Sequence, residues 1–242
     1  MLGKHFLDFI HPNYHQMIKS RWKTIRNDKS VGVMEEEMIR LDKKSIYAEV
    51  SGFPYEIDGE TYVQVFFTDI TARKEAETMM YHFAFYDALS GLPNRRYFAQ
   101  ELNKAIDKGQ PLSVLFLDLD GFKDVNDTYG HDVGDTLIQH ISTRLKDLLP
   151  EKAVASRMAG DEFNIFIPDT NVEDTKQLAK TIIHSIQEDV VIQDKSIFVT
   201  SSIGIAFFPE DGDTAKAIMK HADMAMFEAK RKGKNQYHVY NS

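Results

Sequence analysis

The feature that most constrains this chain is a largely apolar run, from Leu112 to Leu119, that ends abruptly in acidic residues. Such a run is typical of a central strand that is buried on both faces of a sheet. In sheets of this kind, ligands bind where strands end. The sequence Asp118-Leu119-Asp120-Gly121-Phe122-Lys123 follows the run and places two acids suited to a divalent cation there. Taken alone, the acid-x-acid triplet fits a solvated turn or a helix cap better.

The rest of the C-terminal two-thirds alternates between helix and strand. The spacing of five residues predicts one helix face: Val133, Leu137, Ile141, Leu145 and Leu148. Six alternating residues predict one side of a single strand: Ile197, Val199, Ser201, Ile203, Ile205 and Phe207. A last helix over 214–230 carries a stripe of small residues that allows close packing on a sheet. These elements predict an α/β (α+β) fold of a sheet with flanking helices.

The N-terminal part reads differently. Strands are predicted over Ser45 to Phe53 and Thr61 to Ile70, and the turn-forming Ile57-Asp58-Gly59 between them indicates an antiparallel hairpin. From Ala72 onward, apolar residues follow a heptad-like spacing over two repeats, which predicts a short helical stalk. A coiled coil and a helix lying on its own domain fit this spacing equally well.

Composition excludes several function classes. A net charge of -8 disfavours a nucleic-acid partner. The absence of cysteine excludes disulfides, zinc–thiolate sites and thiol nucleophiles. No apolar run reaches the roughly 18 residues of a membrane-spanning helix, so no membrane segment is expected in this chain and we expect it to be cytoplasmic.

Two further clusters carry polar groups. The residues 157–163 place Gly160, Asp161 and Glu162 between two apolar stretches, which predicts a tight hairpin with two acids at its tip. The residues 126–135 surround two glycines with groups suited to the edge of a purine. By themselves, the first cluster fits an ordinary surface turn better and the second fits a loop with helix caps.

Together, the clusters resemble the GGDEF family of diguanylate cyclases from about Tyr86 to Tyr240. Asp87-Ala-Leu-Ser-Gly-Leu-Pro-Asn-Arg-Arg96 resembles the family's N-terminal motif, and 118–135 resembles its metal and guanine segment. Ala159-Gly160-Asp161-Glu162-Phe163 resembles the signature itself, and Ser202-Ile-Gly-Ile-Ala206 and Ala222-Asp-Met-Ala225 resemble later landmarks. The resemblance implies a central, mostly antiparallel sheet flanked by helices.

The resemblance also implies roles for individual residues. Asp118, the carbonyl of Leu119 and Asp161 would hold Mg²⁺ or Mn²⁺. The catalytic residues would be Asp161, Glu162 and Lys123, and the choice of proton acceptor between the two acids stays open. The GTP-binding residues would be Asn126, His131, Asp135, Lys123, Lys230 and Lys234.

The implied function is condensation of two GTP into cyclic di-GMP and two pyrophosphates by a homodimer. The alternative is a catalytically weak or inactive domain that binds GTP and signals through partners. Three departures from the family pattern matter: Ala159 replaces the first signature glycine, Lys234 replaces an arginine, and Pro150 and Ala153 replace the Arg and Asp of the product-inhibition site. The last departure predicts no inhibition through that primary site.

Upstream, Asp69-Ile-Thr-Ala-Arg-Lys74 resembles the motif that ends PAS sensor domains, and His5-Phe-Leu-Asp-Phe-Ile-His-Pro12 resembles their middle. The predicted domains are therefore a partial PAS-like sensor domain at 1–70, a helical linker at 71–86 and a GGDEF domain at 87–242. Because early strands of such a domain are missing, we expect 1–70 to be unable to close a ligand pocket without another chain.

Overall fold

The computed structural model describes residues 5–25 and 31–241, and the chain divides into two compact units, Met1–Tyr81 and His82–Ser242. The N-terminal unit contains an antiparallel sheet in the order β1-β2-β3. The predicted hairpin is present, and Asp58 and Gly59 at its turn both have positive φ. The elements in chain order are two 3₁₀ helices, Phe6–Phe9 and Pro12–Tyr14, α1 His15–Ile25, β1 Val31–Ile39, β2 Ser45–Ile57, β3 Glu60–Asp69 and α2 Thr71–Phe85.

The expectation that 1–70 cannot close a ligand pocket without another chain remains a prediction, because the pocket found in this region is partly open. A cavity of about 280 Å³ lies in the N-terminal unit, and its lining comes from the first 3₁₀ helix, α1 and all three strands. The sequence analysis assigned no element to residues 6–25, although they supply Phe9, Ile18 and Ile25, which are buried. The segment before the sheet therefore supplies part of the cavity wall.

The start of α2 is fixed to the sheet by hydrogen bonds. The Asp69 carboxylate accepts from the Thr71 amide at 2.9 Å, and the Thr71 hydroxyl accepts from the Tyr47 amide at 3.0 Å. Glu35 and Glu49 stand opposite each other on β1 and β2, an arrangement that would repel. Arg73 donates to both carboxylates, at 2.9 and 2.8 Å, so the first turn of α2 neutralises this pair.

The helix predicted after residue 71 is present, and its Met79 and Phe83 are 61% and 78% exposed. The domain boundaries at 70 and 86 and the coiled coil remain predictions. No helix in the described parts of the chain combines the length and apolarity needed to cross a membrane.

The C-terminal unit has a five-stranded sheet in the order β10-β9-β4-β6-β5, flanked by helices. All neighbours are antiparallel except β10 and β9. The predicted fold class is confirmed. The elements are α3 Arg95–Asp107, β4 Leu112–Asp120, α4 Phe122–Tyr129, α5 His131–Leu148, β5 Val154–Ala159, β6 Glu162–Pro168, α6 Val172–Ile186, β7 Val190–Ile192, β8 Lys195–Ile197, β9 Thr200–Phe208, α7 Ala215–Arg231 and β10 Tyr237–Val239.

Strand β4 is buried on both faces, as its apolar run predicts. Leu115, Leu117 and Leu119 pack in the core that α5 and α6 cover. Leu112 and Val114 pack in a second core with α3 and α7. Because side chains alternate along a strand, the even-numbered Asp118 and Asp120 lie on the α3 and α7 side.

The single strand predicted over 197–207 is wrong, because two strands occupy this segment. Strand β8 ends at Ile197 and pairs with β7, whereas β9 begins at Thr200 and pairs with β4. Ile197 and Val199 nevertheless belong to the same core as Ile203. Alternation in sequence reports burial and does not report which strand a segment pairs with.

Helix α7 approaches β9 more closely than the small residues of the helix alone require. A Cβ placed on Gly204 of β9 would stand 2.0 Å from the Ala222 carbonyl oxygen and 2.1 Å from the Met226 amide nitrogen. Both contacts are to backbone, which cannot move aside as a side chain can. The absence of a side chain at Gly204 therefore sets the distance between the helix and the sheet.

We expect Gly204→Ala to destabilise the C-terminal unit, because the added methyl overlaps the backbone of α7. Overpacking of this kind costs about 3 kcal/mol, and the melting temperature should fall by roughly 5–10 °C. Thermal unfolding followed by circular dichroism measures this. Gly32→Ala adds the same methyl where no atom lies within 4 Å and should leave the transition unchanged; equal melting temperatures for the two variants would contradict the close approach.

Candidate functional site

The site forms where β4 ends beside the hairpin of β5 and β6. Asp118 of β4 stands opposite Glu162 of β6, so adjacent strands present two carboxylates on the same side of the sheet. Asp161 lies at the hairpin tip, and its carbonyl accepts from the Leu119 amide at 3.3 Å. From α7, Lys230 places its Nζ 2.7 Å from Asp118 Oδ1. Three sequence-distant segments thus bring together three acids and one lysine.

Burial and like charges shape the electrostatics of this cluster. Burial raises the pKa of Asp118, and the charges of Asp161 and Asp120 act in the same direction, while the hydrogen bond from Lys230 opposes them. Burial also raises the pKa of Glu162, and Asp118 and Asp161 add to the effect. The cluster therefore favours bound cations and protons, as expected for crowded carboxylates.

Asp120 has a structural role that the sequence analysis did not identify. Its carboxylate accepts from the hydroxyls of Thr200 and Ser202, both at 2.8 Å, and from the amide of Asn235 at 3.1 Å. These bonds attach β9 and the loop after α7 to the end of β4. The two-residue spacing predicts that Asp118 and Asp120 lie on the same face of β4. The spacing cannot predict the hydrogen-bond donors to Asp120, which are 80 to 115 positions away in sequence.

The motif at 87–96 is hydrogen-bonded to the hairpin of β5 and β6 that carries the signature. Arg157 of β5 donates to Asp87 Oδ1 at 3.0 Å and to the carbonyl of Gly160 at 2.8 Å. Burial works to raise the pKa of Asp87, but hydrogen bonds from Ser90 and Arg157 outweigh it and lower the pKa. The amide of Arg157 also donates to the Pro93 carbonyl at 3.1 Å. The motif at 87–96 thus fixes the position of the hairpin tip.

The expected guanine residues lie on α4 and α5. Asn126 of α4 has a buried side-chain oxygen without a hydrogen-bond partner. A Cβ on Gly134 of α5 would lie 1.9 Å from that oxygen, so the glycine leaves room for the amide. Asp135 and His131 are exposed at the start of α5. The Asn126 amide therefore packs against Gly134, the residue that precedes the exposed Asp135 on α5.

Two of the expected phosphate ligands stand apart from the acids. Lys123 is exposed in the first turn of α4, and Lys234 is exposed in the loop after α7, where its φ is +63°. Neither lysine makes an ion pair with another described residue. Among the described residues, Lys230 is the expected phosphate ligand that pairs with the acidic cluster, and the roles of Lys123 and Lys234 remain predictions.

The Ala159 departure falls at a tolerant position. Ala159 is an exposed strand residue of β5, paired with Glu162, whereas the residue with positive φ in this turn is Gly160, at +53°. Only the second position of the signature therefore needs the conformational freedom of glycine. The alanine introduces no backbone strain.

The donor set matches the preferences of a hard divalent cation. Mg²⁺ binds one or two carboxylates and completes its shell with water and phosphate oxygens. Asp118, Asp161 and the carbonyl of Leu119 fit this pattern, and the mutual repulsion of the acids favours a cation among them. Within residues 5–25 and 31–241, no three His, Asp or Glu side chains are arranged as a set of metal ligands.

The chain is similar in sequence to known bacterial proteins. The chain is 34% identical over 237 residues to the signaling protein YkoW of Bacillus subtilis, covering 95% of this chain and 30% of that protein. It is 40% identical over 159 residues to the diguanylate cyclase TpbB of Pseudomonas aeruginosa, covering 63% of this chain and 37% of that protein. The chain thus spans about a third of the length of these relatives.

A solved GGDEF domain of TpbB (YfiN) from Pseudomonas aeruginosa superposes with a TM-score of 0.62 at 36% identity, over 64% of this chain and 94% of that one. Some other relatives are named cyclic di-GMP phosphodiesterases or bifunctional enzymes, so relatives' names alone do not define the activity. The family described as diguanylate cyclase, GGDEF domain matches residues 84–236. The chain therefore belongs to the GGDEF family.

Proposed function

We propose that this chain is a diguanylate cyclase that condenses two GTP molecules into cyclic di-GMP and two pyrophosphates. The observation that carries the proposal is the meeting of Asp118, Glu162 and Lys230 at the end of β4, beside Asp161. Members of the family that only bind nucleotide usually lose signature acids, whereas Asp118, Asp161 and Glu162 are all present here. A nucleotidyl transfer needs acids that hold a cation or take a proton, and a lysine that meets phosphate.

The reaction makes two phosphodiester bonds. In each, the oxygen of a GTP 3′-hydroxyl bonds to the α-phosphorus of the other GTP, the bond from that phosphorus to the β-phosphate oxygen breaks, and pyrophosphate leaves. The hydroxyl proton passes to a carboxylate, either Asp161 or Glu162. Lys230, Lys123 and Lys234 would meet the triphosphate, with Lys123 offsetting the charge that develops on the leaving group.

The other groups would bind and orient the nucleotide. The side-chain amide of Asn126 and the carboxylate of Asp135 would hydrogen-bond to guanine, with His131 at the border of the site. Mg²⁺ or Mn²⁺, held by Asp118, Asp161 and the carbonyl of Leu119, would supply charge stabilisation at the phosphates.

The proposed active form is a homodimer, since each domain would hold one GTP and two must face each other. The stripe of α2 that includes Met79 and Phe83 supports this, because large apolar side chains that stay exposed favour association. Helix α2 begins two residues after β3, so the proposed dimer would form by pairing of this helix in the two chains.

The first test is product analysis after incubation of the purified chain with GTP and Mg²⁺. We expect cyclic di-GMP from the unaltered chain and a loss of roughly 10²–10⁴-fold in Asp161→Asn, which keeps the shape but removes the charge. The matched control is Asp147→Asn, the same change at an exposed position on α5. A chain that binds GTP and dimerises but makes no product would support the alternative of a GTP-binding signalling module.

The guanine site is tested by a double-mutant cycle. Gly134→Ala should weaken GTP binding by about tenfold, because the new methyl displaces the Asn126 amide that would hydrogen-bond to the base. Asn126→Ala should weaken binding by a similar factor. If the methyl acts through this amide, adding Gly134→Ala to Asn126→Ala changes the affinity little further. Additive losses in the double variant would contradict a shared mechanism.

Product inhibition gives a third test. Pro150 and Ala153 occupy one turn, in which the Ala153 amide donates to the Pro150 carbonyl at 2.9 Å. Neither side chain can bind a phosphate or a guanine edge, so cyclic di-GMP should not inhibit through this turn. Initial rates at increasing product check this, and submicromolar noncompetitive inhibition would contradict it. The pair Pro150→Arg and Ala153→Asp should introduce inhibition into the otherwise unchanged chain.

A further inference from the structure

The cavity of the N-terminal unit contains a buried carboxyl group, one oxygen of which has no hydrogen-bond partner. Glu36 of β1 lines the cavity and is 2% exposed, and its Oε2 is buried without a hydrogen-bond partner. Among residues 5–25 and 31–241, no cation lies within ion-pair distance of it. Burying a carboxylate in this way is costly unless a donor or a cation compensates it.

The neighbouring glutamates show that this isolation is specific. Glu35 is paired with Arg73 and Lys74, and Glu37 lies 4.0 Å from a ring nitrogen of His11. Of these three consecutive acids, only the one that faces the cavity makes no ion pair with another residue that the structure describes. Arg21 also lines the cavity and its positive charge acts to lower the pKa of Glu36, but burial outweighs it and raises that pKa, and the Arg21 guanidinium donates to the Gly32 carbonyl.

The rest of the lining is mostly apolar and aromatic. It includes Phe9, Ile18, Trp22 and Phe67, and Trp22 is stacked on Phe6 with ring centroids 4.7 Å apart. Aromatic rings attract organic cations as well as apolar groups. A cavity of about 280 Å³ lies near the lower limit of ligand pockets and holds on the order of ten non-hydrogen atoms.

We propose that this cavity is a binding site for a small organic amine, with an ammonium group on Glu36 and an apolar or aromatic body against Trp22 and Phe67. The ammonium would supply the charge and the hydrogen-bond donors that Glu36 lacks. The site lies within the N-terminal unit and is independent of the cyclase proposal, so failure of either leaves the other intact.

The experiment uses the full chain and three probes of similar size: 2-phenylethylamine, 2-phenylethanol and propylbenzene. Calorimetry measures affinity, and the fluorescence of Trp22, the single tryptophan, reports binding in this cavity. We expect the amine to bind at least about tenfold more tightly than the alcohol, and the hydrocarbon to bind most weakly, because a charge-assisted hydrogen bond is worth more than a neutral one.

Three variants locate the effect. Glu36→Gln should weaken binding of the amine by at least about tenfold. The matched control Glu37→Gln makes the same change one residue along β1, outside the cavity lining, and should not affect binding. Glu36→Leu should remain folded by circular dichroism and reverse the preference, so that propylbenzene binds more tightly than the amine.

Equal affinity for the three probes would overturn the proposal, as would unchanged binding of the amine by Glu36→Gln. No binding of the amine at millimolar concentration would overturn it too. Loss of amine binding in Glu36→Gln and Glu36→Leu together, with Glu37→Gln unchanged, would support it.

Discussion

The burial of β4 on both faces is the constraint on which the site depends. Its odd-numbered leucines belong to the core under α5 and α6, and its even-numbered residues belong to the core under α3 and α7. A shift of one residue would exchange the two sets and place Asp118 and Asp120 among the leucines' partners. Because that exchange would bury unpaired carboxylates, the hydrophobic pattern of the strand fixes the side on which the acids lie.

A second constraint places the lysine. Helix α7 lies so close to β9 that Gly204 cannot carry a side chain, and its last turn then brings Lys230 to Asp118. Asp120 fixes the loop that follows through Asn235. The even face of β4 therefore serves two purposes: Asp118 belongs to the acidic cluster, and Asp120 holds the backbone around it.

Local patterns in the sequence predict much of this and miss the rest for physical reasons. The apolar run of β4, the hairpin at Gly160 and the turn at Asp58 are encoded by neighbouring residues, and the structure contains all three. The break between β8 and β9 is invisible to alternation, because both strands bury their apolar side against one core. The contact of Gly204 with α7 and the three donors to Asp120 join segments far apart in sequence. The sequence analysis therefore named Gly204 and Ser202 only as members of a family motif, and it did not name Thr200 or Asn235.

Two neighbouring residues of β1 have different roles: Glu36 lines the cavity, and Glu35 forms ion pairs with α2. Adjacent residues of a strand point to opposite faces, so Glu36 faces the cavity while Glu35 meets Arg73 and Lys74 of α2. Arg73 also bridges to Glu49, so the first turn of α2 depends on the relative position of β1 and β2. A ligand on Glu36 can affect the helix only if it binds differently to two positions of β1. The ion pairs of Glu35 give one route between the cavity and α2, and β3, which lines the cavity and leads into α2 through the hydrogen bonds of Thr71, gives a second.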